Sequence, residues 1–168
     1  MHRVLIAFGT AMLVLAFTAT AALAALTFHS GPTVTWDGNS ATATADISGL
    51  GNQGATASLQ VVSFATYTCQ NGGGNTAPGQ KSVQVFGSPG SQALNTDHSG
   101  RDTLNVTAAA PAPATTVGGK EAGCPNKNWT GVDPQLTGPT TATLTISQGN
   151  KTIFCQTYQQ GSSTGTPC

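Results

Sequence analysis

The chain has 168 residues, of which 7% are charged, and its six basic and six acidic side chains leave a formal net charge of zero. Beyond Arg3, the basic residues Lys81, Arg101, Lys120, Lys127 and Lys151 are scattered singly. No basic stripe can follow a phosphate backbone, which argues against a nucleic-acid partner, and four cysteines without a CxxC spacing argue against a structural zinc site.

Met1-His2-Arg3, the uncharged apolar run from Val4 to Phe17 and the small-residue exit Ala22-Leu23-Ala24 follow the order of a secretory signal peptide, with Ala19-Thr20-Ala21 as a second exit. A retained membrane anchor is the competing reading, because the run reaches about 20 residues if its alanines and threonines are counted. The Ala/Thr-rich end and the lack of a basic stop favour cleavage. The expected organisation is a signal peptide over 1–24, then a single secreted domain over 25–168 that no longer touches the membrane. About 144 residues suffice for one domain with its own core.

Residues 31–50 predict two short strands around a turn at Asp37-Gly38-Asn39. Val34 and Trp36 share a face of the first, and Ala41, Ala43, Ala45 and Ile47 form the small buried face of the second. Ala55 to Cys69 predicts the longest strand: Ala55, Ala57, Leu59 and Val61 alternate, Val62 and Phe64 break phase, and Ala65, Tyr67 and Cys69 resume. That pattern implies a bulge or two covered faces. Gln70 to Gln80 reads as a loop, Val83 and Val85 as a strand ending at Gly87, and Leu104, Val106 and Ala108 as another. The Pro- and Gly-rich stretch after Ala108 excludes helix and central strand, and residues 125–139 read as turn-rich. Thr141 to Tyr158 gives the clearest pattern, a hairpin about Gly149-Asn150 in which Ile146 faces Ile153 and Leu144 faces Cys155. We expect the long strand beside this hairpin. The sum is an all-β chain: an immunoglobulin-like antiparallel β-sandwich of about seven strands, stapled by two disulfides and preceded by a signal-peptide helix.

Cys69, Cys124, Cys155 and Cys168 allow three pairings. Cys69 with Cys155 is disfavoured if their strands flank a third, since such strands lie about 9.6 Å apart while bridged Cα atoms lie within about 7 Å. Cys69 with Cys124 and Cys155 with Cys168 is the preferred set, the first tethering a long connection and the second a flexible tail.

Catalysis has little to work with. His29 would chelate copper as an N-terminal residue only after cleavage at Phe28, which signal peptidase does not favour, so no metal or other cofactor is expected. The segment 95–102 gathers two carboxylates, an imidazole, a hydroxyl and a guanidinium; sequence neighbours do not make a triad and a polar turn explains them, but Asp97 and His98 are the binding candidates on that surface. Trp129 is the one large apolar group between Cys124 and the hairpin. With Asn126 and Asn128 beside it, and with Asn71 and Asn75 in the loop after Cys69, it is the best candidate for a binding surface. Trp36 and Tyr67 read as core.

The elements Cys69-Gln70-Asn71 through Ala77-Pro78-Gly79-Gln80, Cys124-Pro125-Asn126-Lys127-Asn128-Trp129 and Ile153-Phe154-Cys155 resemble those of a group of small secreted four-Cys sandwich proteins of high-GC Gram-positive bacteria. The resemblance spans roughly residues 42–168 and implies the fold and an exported life, without an activity. A looser similarity links the chain to antibiotic-carrying apoproteins of the same bacteria, from which no residue roles transfer. The expected function is a non-enzymatic extracellular module that binds another secreted or cell-envelope protein through sandwich loops. The alternatives are a carbohydrate or small-molecule binding module using Trp129 and the Gln70–Gln80 loop, and a secreted protease inhibitor presenting the Cys124–Trp129 loop.

Overall fold

A computed structural model describes residues 25–51, 54–95 and 101–168. The expected signal peptide, Asp97 and His98 lie outside these residues. The described part is nearly all β, with 64% of its residues in strands and 3% in helix. In chain order the elements are β1 (Thr27–Asp37), β2 (Ser40–Ser48), β3 (Ala55–Gln70), β4 (Thr76–Pro78), β5 (Val83–Phe86), β6 (Gly90–Leu94), β7 (Arg101–Ala108), β8 (Val117–Gly118), a single turn α1 (Gly119–Ala122), β9 (Thr130–Gln148), β10 (Lys151–Gln159) and β11 (Thr166–Pro167). The described pairings are antiparallel and build two sheets. One has the order β1-β2-β7, and the other runs β11-β10-β9-β3, with β4, β5 and β6 taking successive stretches of the far edge of β3 and β8 flanking the start of β9. These short edge pieces raise the strand count above the seven expected from alternation.

The period-2 pattern of β3 is not broken. Residues 55, 57, 59, 61, 63, 65, 67 and 69 are all buried, with Ser63 turned inward and Val62 and Phe64 outward. An irregularity does fall at the expected place, between Val62 and Phe64, but it is a register shift against β9, which advances four residues from Thr141 to Thr137 against two of β3. The inward Ser63 is tolerated because its Oγ accepts a hydrogen bond from the buried Thr140 hydroxyl at 3.2 Å. The hairpin register also differs from expectation. A bulge between Thr152 and Phe154 sets Ile146 opposite Phe154 and Leu144 opposite Gln156. Ile153, within the bulge, still packs against the main core, but Cys155 is not the inward partner of Leu144. One inserted residue reverses the facing of everything after it, which directs Phe154 and Tyr158 to the core and Cys155 outward.

Residues 125–139 are not all turn. β9 begins at Thr130, and Thr130 to Thr137 pair with Gln70 to Phe64, because β3 extends far enough to satisfy their backbone groups. Pro134 falls inside the register shift opposite Thr66 to Thr68, where no ladder donor is required of it. The stretch after Ala108 contains β8 and the turn α1, closed by Gly123 in the left-handed conformation. This is an element the Pro/Gly composition had excluded, and at one turn it is short enough for Gly118 and Gly123 to bound it.

The main core lies between the three-stranded sheet and the lower halves of β3, β9 and β10. Ile47, Leu59, Leu94, Leu104, Leu144 and Ile146 are completely buried there, and Ala41, Ala43 and Ala45 line the β2 side. One flank is closed by Phe28 against Phe154, with ring centroids 4.7 Å apart. The other is closed by Gln92, whose Nε2 donates to the Thr103 carbonyl at 2.8 Å and whose Oε1 accepts from the Asn105 N–H at 2.7 Å, so a side chain stands in for ladder bonds between β6 and β7. Above this body the β3–β9 ribbon continues into a smaller cluster of Ala65, Tyr67, Cys69, Val85 and Ala122, with Trp129 and Leu136 packed against it.

The disulfides join Cys69 to Cys124 and Cys155 to Cys168, with Cα separations of 5.6 and 5.5 Å. β3 and β10 do flank β9, the arrangement that disfavours Cys69 with Cys155. Two disulfides fit an oxidising compartment, and among the described residues no helix is long and apolar enough to cross a membrane.

Candidate functional site

Gln70 at the end of β3 pairs with Thr130 at the start of β9, and Thr130 also pairs with Gly118 of β8. The loop leaving β3 and the turn entering β9 therefore meet at one tip of the ribbon, which brings Asn71, Asn75, Asn126, Asn128 and Trp129 together. Both turns are held by their own asparagines. Asn71 Oδ1 accepts the N–H groups of Gly73 at 3.0 Å and Asn75 at 2.9 Å, while the Asn71 N–H donates to the Asn75 carbonyl at 3.1 Å. Asn126 Oδ1 accepts the Asn128 N–H at 2.9 Å and the Asn126 carbonyl accepts the Trp129 N–H at 3.0 Å. Asn71 and Asn126 thus spend their acceptors on the backbone, as asparagines in tight turns do. Asn75 and Asn128 are exposed, and Trp129 is half-buried against the small cluster.

The tip rests on a stapled base. The Cys69–Cys124 bridge ties β3 to the residue after Gly123, the N–H groups of Gln80 and Lys81 donate to the carbonyls of Gly123 and Ala122, and the Gly79 N–H donates to the Tyr67 carbonyl at 2.9 Å. Tyr67 is buried and its hydroxyl donates to the Ala114 carbonyl at 3.0 Å, strapping the Pro-rich connection to β3. Burial, and secondarily the Glu121 carboxylate, push the Tyr67 phenol above its ordinary value. Gly131 is required where the strands are closest: a Cβ there would come within 2.8 Å of the side chains of Ala122 and Val117.

Two further surfaces stand apart from the tip. On the outer face of the three-stranded sheet, Ser30, Thr33, Thr44, Asp46, Thr103 and Asn105 line a groove of about 270 Å³. Asp46 is paired with Arg101 at its side. On the outer face of the larger sheet Phe64 and Phe86 are 37% and 59% exposed. Composition had flagged neither surface. The signal for the second was the even-numbered position of Val62 and Phe64 in β3, obscured by their hydrophobicity.

His29 Nε2 lies 2.8 Å from Ser48 Oγ in an exposed pair. A nucleophile of this kind also needs a group orienting the imidazole, and Asp46, two residues before Ser48, is held by Arg101. Asp102 accepts the N–H groups of Asn95 and Thr103 at 2.8 and 2.7 Å, which makes it a turn and strand-end residue. Among the described residues no group of three His, Cys, Asp or Glu side chains is placed to hold a metal ion. In comparisons with protein families, with curated proteins and with solved structures, no match to this chain was found.

Proposed function

We propose that the protein is an exported, non-catalytic binding module of immunoglobulin-like architecture that recognises another extracellular or cell-envelope protein with the tip of its β3–β9 ribbon. The strand order supports the architecture: β1, β2 and β7 adjoin in one sheet and β10, β9 and β3 in the other, matching the A-B-E and G-F-C neighbours of that fold. Both disulfides support the export reading.

The observation that carries the binding role is the convergence of two polar turns and Trp129 on one disulfide-anchored tip. Turns already fixed by Asn71 and Asn126 lose little conformational freedom on association. A neutral, amide-rich rim around an aromatic group suits wet, polar contacts better than electrostatic capture. The test is capture of partners from the native secretome by immobilised protein, compared with an Asn75→Arg/Asn128→Arg variant. Both side chains are exposed, so the variant is expected to keep its fold and to lose captured partners at least tenfold. Equal capture by the two proteins removes the tip from recognition.

A second reading, saccharide binding, is favoured by the groove on the three-stranded sheet. Its hydroxyl and amide lining, with Asp46 neutralised by Arg101, offers hydrogen bonds without net charge. Glycan titration followed by chemical-shift changes at Thr44 and Thr103 decides it, and no change with any glycan dismisses it.

A further inference from the structure

We propose that the outer face of the larger sheet is a self-association surface, on which a second copy of this chain docks face to face about Phe64 and Phe86. Phe86 is opposite Val62 in the β3–β5 register and Phe64 lies two positions along β3, so the three side chains share one outward patch near the middle of the strand. Phe86 is 59% exposed and Phe64 37%, the two exposed large hydrophobic side chains among the described residues. A single exposed apolar residue is ordinary, whereas adjacent aromatics on a flat face have the character of interface anchors.

The surroundings of the patch favour a second copy over other occupants. The outward positions of β3 from 56 to 64, of β5 at 84 and 86, of β9 from 141 to 147 and of β10 from 155 to 159 carry no charged side chain. A two-fold interface sets each patch against itself, so a charged patch would repel its own copy while this one does not. Threonine hydroxyls donate and accept equally well, which makes a threonine row complementary to another such row. Thr143 and Thr157 already pair across strands at 3.0 Å on this face. A headgroup-seeking surface would need a basic rim, and none borders the patch in these strands.

The dimensions are adequate. Four strands about 4.8 Å apart and about ten residues at about 3.3 Å each give a face of roughly 20 by 33 Å, or about 650 Å² before side-chain relief. A standard interface takes about 800 Å² from each partner. A dimer of this size would carry two tips, whatever each tip recognises.

Sedimentation equilibrium of the disulfide-intact protein, expressed from the full chain, tests this over about 1 to 100 µM. The expected result is a rise from the mass of one chain to that of two. Phe86→Asp and Phe64→Asp should each move the association midpoint at least tenfold higher, with circular dichroism and thermal melts confirming that the variants are folded. Phe86→Thr, which keeps strand propensity, should act in the same direction and serves if an aspartate impairs folding. A single-chain mass throughout the range overturns the proposal, as does a Phe86→Asp protein that dimerises like the parent. Co-sedimentation of a monomeric parent with neutral phosphatidylcholine vesicles also overturns it and reassigns the two phenylalanines to a lipid surface.

Discussion

The lower and upper halves of the β3–β9 ribbon are built from the same two strands and are held by different physics. In the lower half, two sheets close over a broad apolar interior in which Leu59, Leu104, Leu144 and Ile146 are completely buried. In the upper half, Tyr67, Val85 and Ala122 form a core of a few side chains covered by loops, and the Cys69–Cys124 bridge spans 55 residues of sequence to hold it. A small core buries too little surface to offset the ordering of long loops, so cross-linking substitutes for area. The lesson is that the candidate tip depends on a covalent bond and on local hydrogen bonds far more than the sandwich does.

Removal of the upper staple is expected to have the largest effect. Cys69→Ser with Cys124→Ser releases a closed loop whose entropy is worth about 4 kcal/mol by chain-closure arithmetic. Hydrogen exchange should show amides 65–69 losing protection while amides 142–146 keep theirs. If both sets lose protection together, the halves are one cooperative unit and the comparison fails. Leu144→Ala should come next, at about 3 kcal/mol, because a completely buried leucine leaves a cavity that two packed sheets cannot close. Here the loss should appear as a lower denaturant midpoint for the whole chain, lower half included.

Tyr67→Phe is the smallest and the most diagnostic. It deletes the hydrogen bond to Ala114 and should cost about 1 kcal/mol, confined to the upper half. Its pH dependence has a definite sign. Burial and Glu121 raise the Tyr67 phenol above its unfolded value of 10.0, so its contribution is fully present below that value and is lost as pH rises through the higher folded one. Wild-type stability should therefore fall on titration above about pH 10. The variant should fall less steeply, retaining the part due to Tyr158, whose phenol is raised by burial in the main core. Identical alkaline slopes in the two proteins would remove Tyr67 from the account.

Much of the lower half was legible in the residues. The Thr/Ala/Leu/Ile alternation of β9, the Gly149-Asn150 turn, the alanine face of β2 and the pairing of β3 with the hairpin all follow from local pattern and turn chemistry. The upper half was harder to read because its order is non-local. Thr130 to Thr137 look like turn in isolation and become strand only because β3 lies alongside. The bulge before Phe154 leaves no mark in composition, yet it decides which of Cys155 and Phe154 enters the core. Of the tip, the sequence supplied the residues but not their meeting, nor the use of Asn71 and Asn126 as turn acceptors.

By itself the sequence determined the class of molecule: alternation dictates strands, small residues dictate close sheets, and four cysteines without metal spacing dictate two bridges. Register, facing and proximity were left to tertiary structure, because a strand gains its hydrogen bonds from a partner remote in sequence and a one-residue shift exchanges its inner and outer sides. That is why the same pattern of residues fixed the core of the sandwich, while the exposure of Phe64 and Phe86 and the assembly of the tip were settled only when the chain came together.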